Sequence, residues 1–287
     1  MSTAPAHAEA TFPSSGGATI YEQRWAALPA NGAPPRAVLA ICHGYAEHSG
    51  RYAAVAAYLN DHGYVVEALD LRGHGRSTGE RVTVQSFAEF WDDLDAFLDR
   101  VRQRNPGLPL FLLGHSMGGG VVTSYLLARN PALDGLLLSG AAMLGQRPGP
   151  RPAPATGAAP VAPAPLPASA ISRDPNVVAA YENDPLVYRG APNPRAAEAS
   201  REAYDLVQSS MEAITLPLLI MHGTNDLLVP FHGSELLFER ASSPDKTLKL
   251  YPGLYHEILN EPERLQVLAD IVAWLDAHTA APGEEPR

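Results

Sequence analysis

The segment Gly114-His115-Ser116-Met117-Gly118 follows the apolar run Leu110 to Leu113 and precedes a helix-competent stretch, Val121 to Arg129. A serine at the apex of a sharp strand-to-helix turn presents its hydroxyl as a nucleophile, and flanking glycines let the two backbones pass close together. Ser116 is therefore the candidate nucleophile. Alone, the pentapeptide also fits a glycine-rich turn with a helix-capping serine; the strand before and the helix after favour the nucleophile.

A serine hydroxyl near its free pKa attacks poorly, so it needs a base, and the base needs a carboxylate to orient it. Leu218 to His222 reads as a strand running into Gly223-Thr224-Asn225-Asp226. Asp226 thus lies just past the C-terminal end of a strand, on the edge where parallel sheets place their sites. The next strand, Thr247 to Tyr251, leads into Pro252-Gly253-Leu254-Tyr255-His256-Glu257, and His256 is the candidate base because it follows the last strand. The other histidines near these motifs read as structural. His115 points away from the nucleophile inside the turn, His43 and His74 hydrogen-bond within glycine-rich loops, and His222 is packed at a strand end. Asp184 and Asp205 fall in an insertion and Asp245 in a turn, which leaves Asp226 as the acid. The chain order Ser116, Asp226, His256 is that of an α/β-hydrolase. Attack on an ester creates an oxyanion that needs two preorganised backbone donors. The Met117 amide at the start of the elbow helix is one; the Tyr45 amide, in the His43-Gly44-Tyr45 loop after the strand Val38 to Cys42, is the other.

The elements that must hold these residues alternate along the chain. Val38 to Cys42, Tyr64 to Leu69, Leu110 to Leu113, Leu136 to Ser139, Leu218 to His222 and Thr247 to Tyr251 read as short strands. Helices are expected over Arg51 to His62, Ser86 to Arg104, from Val121, near Gly233 and over Pro262 to His278. Ala18 to Leu28 reads as an edge hairpin after a frayed start. The stripe Phe87, Phe90, Trp91, Leu94, Phe97, Leu98 and Val101 has helical spacing and serves the core. The fold class is α/β, a mostly parallel central sheet flanked by helices. Residues 1–140 and 212–287 form this core. Residues 141–211 break the alternation and read as a cap inserted over the sheet. Its first half, with Pro148, Pro150, Pro152, Pro154, Pro160, Pro163, Pro165 and Pro167 among alanines, is extended. Its second half recovers helical character around Val177 to Tyr181 and Ala196 to Val207. An interdomain linker is the competing reading, disfavoured because the sheet pattern resumes afterwards.

Composition bounds the partners. With 46% hydrophobic and 18% charged residues, the 287-residue chain can bury one large core. A net charge of -10 and a pI near 5.4 argue against a nucleic-acid partner and weaken attraction to anionic lipid. No basic stretch followed by an apolar run opens the chain, and no run of about 18 apolar residues follows. The single Cys42 reads as a small buried thiol. These features fit a cytoplasmic protein, and no metal or organic cofactor is implied.

Five stretches together resemble the monoacylglycerol lipase family of α/β-hydrolases. They are His43-Gly44-Tyr45-Ala46-Glu47-His48-Ser49-Gly50-Arg51-Tyr52, Asp70-Leu71-Arg72-Gly73-His74-Gly75-Arg76-Ser77, Gly114 to Gly119, His222 to Asp226, and Tyr251 to Glu257. The resemblance implies the triad Ser116, Asp226 and His256 and a preference for glycerol carrying one fatty acid. It also implies that Glu47 and Arg51 lie near the polar end where glycerol binds; on the residues alone they fit a surface ion pair equally well. Two departures stand out. The family often has a small or aliphatic residue and then glycine after His-Gly, where this chain has Tyr45-Ala46. The family's cap carries an apolar helix that meets lipid, whereas Gly145 to Pro167 is rich in proline and alanine.

The reading that results is a serine ester hydrolase that splits monoacylglycerol into fatty acid and glycerol through an acyl-enzyme. Its expected partner is a small acyl ester, with at most weak peripheral membrane contact through the cap. The competing readings are a general carboxylesterase or lysophospholipase acting on short or medium acyl esters. A non-catalytic binding protein on the same scaffold is disfavoured because all three triad residues are present.

Overall fold

The structure, a computed structural model, describes residues 7–26, 33–143, 166–191 and 193–279. Among them the strands are β1 (His7–Pro13), β2 (Thr19–Trp25), β3 (Ala37–Cys42), β4 (Tyr64–Leu69), β5 (Leu110–His115), β6 (Gly135–Ser139), β7 (Leu218–Gly223) and β8 (Lys246–Tyr251). They form one sheet in the order β1-β2-β4-β3-β5-β6-β7-β8. From β4 to β8 every neighbouring pair is parallel, while β1 pairs with β2 and β2 with β4 antiparallel. Strands β3 to β7 are buried along their whole length, as strands covered on both faces must be, which is why they are mostly apolar rather than alternating.

The helices are α1 (Ala53–Asp61), α2 (Ala88–Arg104), α3 (Met117–Arg129), α4 (Pro175–Asn183), α5 (Pro194–Ser210), α6 (His232–Arg240) and α7 (Arg264–Ala277). Helices α2, α3 and α6 cover one face through Phe97, Tyr125 and Leu237; α1 and α7 cover the other through Leu59 and Trp274. The loops that follow β3, β5, β7 and β8 all leave from the carboxyl edge of the parallel sheet, so 43–48, Ser116, Asp226 and His256 converge there.

Two element starts differ from the sequence expectation by more than two residues. The edge hairpin begins at His7, not Ala18: in β1 only Phe12 is buried, so this solvent-facing edge strand carries no apolar run to betray it, while residues 27–28 lie outside the described residues. Helix α3 begins at Met117, not Val121, and absorbs Gly118 to Gly120 despite their low helix propensity. Packing explains the exchange. A Cβ at Gly118 would sit 2.3 Å from the His43 carbonyl oxygen and 2.4 Å from that of Cys42. Only glycine lets the elbow helix lie against the end of β3.

Between β6 and β7 the described residues contain no strand. The proline- and alanine-rich stretch from Pro148 to Pro165 lies outside them. Helices α4 and α5 start alike: the Asp174 and Asn193 side chains accept hydrogen bonds from the Asn176 and Arg195 amides, and a proline follows each cap. Several hydrogen bonds tie this helical segment to the core, three of them at the carboxyl edge beside Ser116. His48 Nε2 lies 2.8 Å from Asp184 Oδ2, the Tyr188 amide donates to the Ala46 carbonyl at 2.8 Å, and the Glu257 amide donates to the Ile171 carbonyl at 2.8 Å.

Candidate active site

Ser116 occupies the turn between β5 and α3 with φ 53° and ψ −121°. A positive φ in a residue with a Cβ is strained, and backbone hydrogen bonds hold it. Its amide donates to the Ser139 carbonyl at 3.0 Å, and its own carbonyl accepts from the Gly119 and Ala142 amides at 2.9 Å each. The strain lifts the side chain clear of a stretch whose neighbours are buried.

His256 Nε2 lies 2.8 Å from Ser116 Oγ, and His256 Nδ1 lies 2.7 Å from Asp226 Oδ2. The structure thus brings the three sequence-selected residues into one hydrogen-bonded line. With Nδ1–H donated to the carboxylate, Nε2 is left as the acceptor for the serine proton. Asp226 Oδ1 accepts from the Leu228 and Val229 amides at 2.8 and 2.9 Å. Its side chain is fully out of solvent. Burial alone pushes this carboxyl up, but hydrogen bonds from His222 and His256 outweigh burial and hold it well below the usual carboxylate range.

His222 is the part of this arrangement that the sequence did not reveal. Its Nε2 lies 3.0 Å from both Asp226 Oδ2 and the Val229 carbonyl, so this nitrogen carries the hydrogen, while Nδ1 accepts from the Ser234 hydroxyl at 2.7 Å. It is packed, as expected, but packed as a second donor to the carboxylate. Its place four residues before Asp226 was the available signal.

The remaining histidines of these loops are structural. His115 donates from Nδ1 to the Ser139 carbonyl at 2.9 Å, and burial pulls its pKa down to about 4. His74 donates from Nδ1 to the Arg72 carbonyl at 3.0 Å, and burial, with His43 beside it, pulls its pKa down to about 3. Both rings are buried and neutral in the fold, whereas an unfolded histidine titrates near pH 6.5. Below pH 6.5 the unfolded chain binds protons that the folded chain refuses, so stability falls as pH falls toward the folded values. Each ring then costs about 1.4 kcal/mol per pH unit. Urea unfolding at pH 7 and pH 5 is expected to show a loss of about 4 kcal/mol from the two rings, and a flat response would remove the neutral, buried assignment.

The loop after β3 closes the other side of Ser116. A Cβ at Gly44 would lie 3.1 Å from the Ser116 Cβ, and the Gly44 amide donates to Glu47 Oε1 at 2.7 Å. Ala46 takes φ 66°, which turns the chain at this point. Among the described residues the Tyr45 amide has no acceptor, nor has that of Met117 at the start of α3.

Glu47 and Arg51 are not a surface pair. Arg51 Nη1 lies 2.8 Å from Glu47 Oε2, and the guanidinium makes a bidentate contact with Glu257 at 2.6 and 2.7 Å. The Tyr181 ring covers it, with Cζ 4.9 Å from the ring centre. Burial pushes the Glu47 carboxyl up, but Arg51 and the Gly44 amide help to bring it down to about 2. Glu257, next to His256, had no motif of its own to mark it. Glu47 and Glu257, with Tyr181, Ile171 and Leu228, line a cavity of about 20 Å³ against Ser116 and His256, room for one water-sized molecule. Arg51 does not line it; it is enclosed between the two carboxylates. On the far side of Tyr45 lies a second, apolar cavity of about 140 Å³ that Met117 also lines. Among the described residues no group of His, Cys, Asp and Glu is placed to hold a metal ion, and no helix is long and apolar enough to cross a membrane.

The family described as serine aminopeptidase, S33 matches residues 33–263. The monoacylglycerol lipase of Mycolicibacterium smegmatis is 41% identical over 280 residues, which span 94% of this chain and 97% of that one. The chain belongs to the monoacylglycerol lipase family of serine hydrolases. The human monoglyceride lipase is 34% identical over 263 residues, 87% of this chain and 85% of its own. The crystal structure of the Paleococcus ferrophilus monoacylglycerol lipase superposes with a TM-score of 0.74 at 30% identity, over 90% of this chain and 99% of that one. The α/β-hydrolase fold inferred from the order of the triad residues is the fold of this monoacylglycerol lipase family.

Proposed function

We propose that this protein hydrolyses monoacylglycerol to fatty acid and glycerol, with Ser116 as nucleophile, His256 as base and Asp226 as the carboxylate that orients it. The hydrogen-bonded line Ser116, His256, Asp226 carries the reading, and the named relatives support the substrate. Ser116 Oγ attacks the ester carbonyl as His256 Nε2 takes its proton, and the oxyanion forms against the Tyr45 and Met117 amides. Collapse breaks the bond to glycerol, which leaves with the proton from His256. Water, deprotonated by His256, then attacks the acyl-enzyme, and the fatty acid departs as Ser116 regains its proton.

Residues 141–211 serve as a cap in this reading, with Ile171 and Tyr181 over the alcohol side. Two carboxylates, Glu47 and Glu257, face that side with one guanidinium between them, a net charge of one negative unit. A single hydroxyl of neutral glycerol, about the size of one water, can donate to such a wall, whereas a phosphate there meets like charge in a water-poor site. This favours monoacylglycerol over a lysophospholipid. The protein is proposed to act in the cytoplasm with at most weak peripheral contact to membranes.

Rates on monohexanoylglycerol, its 3-phosphate and 4-nitrophenyl hexanoate test the proposal. The glycerol ester is expected to exceed its phosphate in kcat/KM by about 100-fold. Equal rates would transfer the assignment to a lysophospholipase, and a rate confined to the aryl ester would transfer it to a general carboxylesterase.

A further inference from the structure

The apolar cavity beside Met117 has a polar flaw in its wall. Val82, Val84, Phe87, Phe90, Ala196 and Ala197 make it apolar, and four lining residues are not: Tyr45, His74, Asn193 and Ser200. Two of these are already engaged. Asn193 Nδ2 donates to Thr83 Oγ1 at 3.0 Å and its Oδ1 accepts from the Arg195 amide at 2.8 Å, while Ser200 Oγ donates to the Ala196 carbonyl at 2.7 Å. The other two are not. Tyr45 Oη and His74 Nε2 are buried polar atoms without a partner among the described residues.

Their chemistry is complementary. His74 donates from Nδ1 to the Arg72 carbonyl, so Nε2 holds a lone pair and can only accept. It is buried, with 2% of its surface exposed. Tyr45 Oη, buried too, offers a hydrogen. The two rings meet edge-on with centres 6.3 Å apart, and both residues line the same cavity. A buried donor and a buried acceptor left unpaired disfavour a purely hydrocarbon occupant and favour one that supplies a group of both kinds. A hydroxyl is the smallest such group. At about 140 Å³ the cavity is near the size that accommodates benzene, so its occupant has about six carbons.

We infer that this cavity receives the acyl part of the ester and selects a compact acyl group bearing a hydroxyl, which accepts from Tyr45 Oη and donates to His74 Nε2. The inference rests on the ester-hydrolase reading above and narrows its acyl side. It also gives a role to Tyr45, the residue at which this chain departs from the small or aliphatic one in its resemblance to the family.

The test compares monohexanoylglycerol with its analogues hydroxylated at acyl carbon 4, 5 or 6, and 3-phenylpropanoylglycerol with its 4-hydroxyphenyl analogue, so that aliphatic and phenolic sources of the hydroxyl are separated. Within at least one of the two sets a hydroxylated ester is expected to exceed its plain counterpart in kcat/KM by about tenfold. In Tyr45→Phe, which keeps the ring and the backbone amide, that ratio is expected to fall to about one or below. Because the ratio is taken within each variant, a general loss of turnover does not affect it. Plain esters preferred in both sets, or a preference for the hydroxyl that survives Tyr45→Phe, would overturn the inference. Failure of the underlying reading looks different: no glycerol ester, plain or hydroxylated, would be turned over, and the inference would fall with it.

Discussion

Ser116→Ala is expected to lower kcat by about 10⁵-fold or more while leaving the fold in place. The magnitude follows from the geometry: Oγ is the only atom removed, and it is the atom 2.8 Å from His256 Nε2. Without it no acyl-enzyme forms, and the residual rate comes from substrate binding and oxyanion donors alone. Stability should scarcely change, because alanine at φ 53° carries the same backbone strain as serine and the bonds to the Ser139 carbonyl and from the Gly119, Gly120 and Ala142 amides use only the backbone. Active-site titration and a thermal melt therefore make a paired measurement. An unaltered melting temperature with activity retained at about one per cent or more of the parent would place the nucleophile elsewhere.

Asp226→Asn is expected to cost about 10⁴-fold in kcat, by a different route. The carboxylate accepts four hydrogens: Oδ1 takes two backbone amides and Oδ2 takes two imidazole N–H groups. An asparagine has one oxygen for these four donors. If that oxygen keeps the Leu228 and Val229 amides, the new NH₂ group faces His256 Nδ1 and His222 Nε2. His256 can relieve the clash by moving its proton to Nε2, and it is then the wrong tautomer to accept one from Ser116. His222 cannot do the same at no cost, since its Nε2–H is also held by the Val229 carbonyl. The variant should therefore lose stability as well as turnover, by about 1–3 kcal/mol for the unpaired buried groups. Retention of activity within tenfold of the parent would show that Asp226 does not govern the tautomer of His256.

The two substitutions divide what could be read in the sequence from what could not. Ser116, Asp226 and His256 were legible because each follows a strand of a parallel sheet, and chain order with strand position sufficed to place them on one edge. The alternation that positions them was equally plain, since β3 to β7 are mostly apolar. His222 and Glu257 were not legible in their roles. Glu257 is defined by an Arg51 guanidinium 206 residues away in sequence, and His222 by the turn after β7, which folds the Asp226 carboxylate back onto a ring only four residues before it. The burial of Glu47 with Arg51 likewise depends on Tyr181, which comes from the segment between β6 and β7. Strand β1 has no apolar pattern to mark it, because an edge strand facing water needs almost no apolar residues.

The bond from the Tyr188 amide to the Ala46 carbonyl acquires a meaning of its own once Tyr45 is assigned to the oxyanion site. The loop 44–46 is clamped from beneath by Glu47 on the Gly44 amide and from above by Tyr188, on the proposed cap. Lifting the cap far enough to part Tyr188 from Ala46 would unfasten the upper clamp on the very loop whose Tyr45 amide is proposed to meet the developing charge. Entry and readiness would then be mutually exclusive: the open molecule admits an ester but is chemically quiet, and the closed one is armed. In such a molecule the cap would act less as a door than as a safety catch.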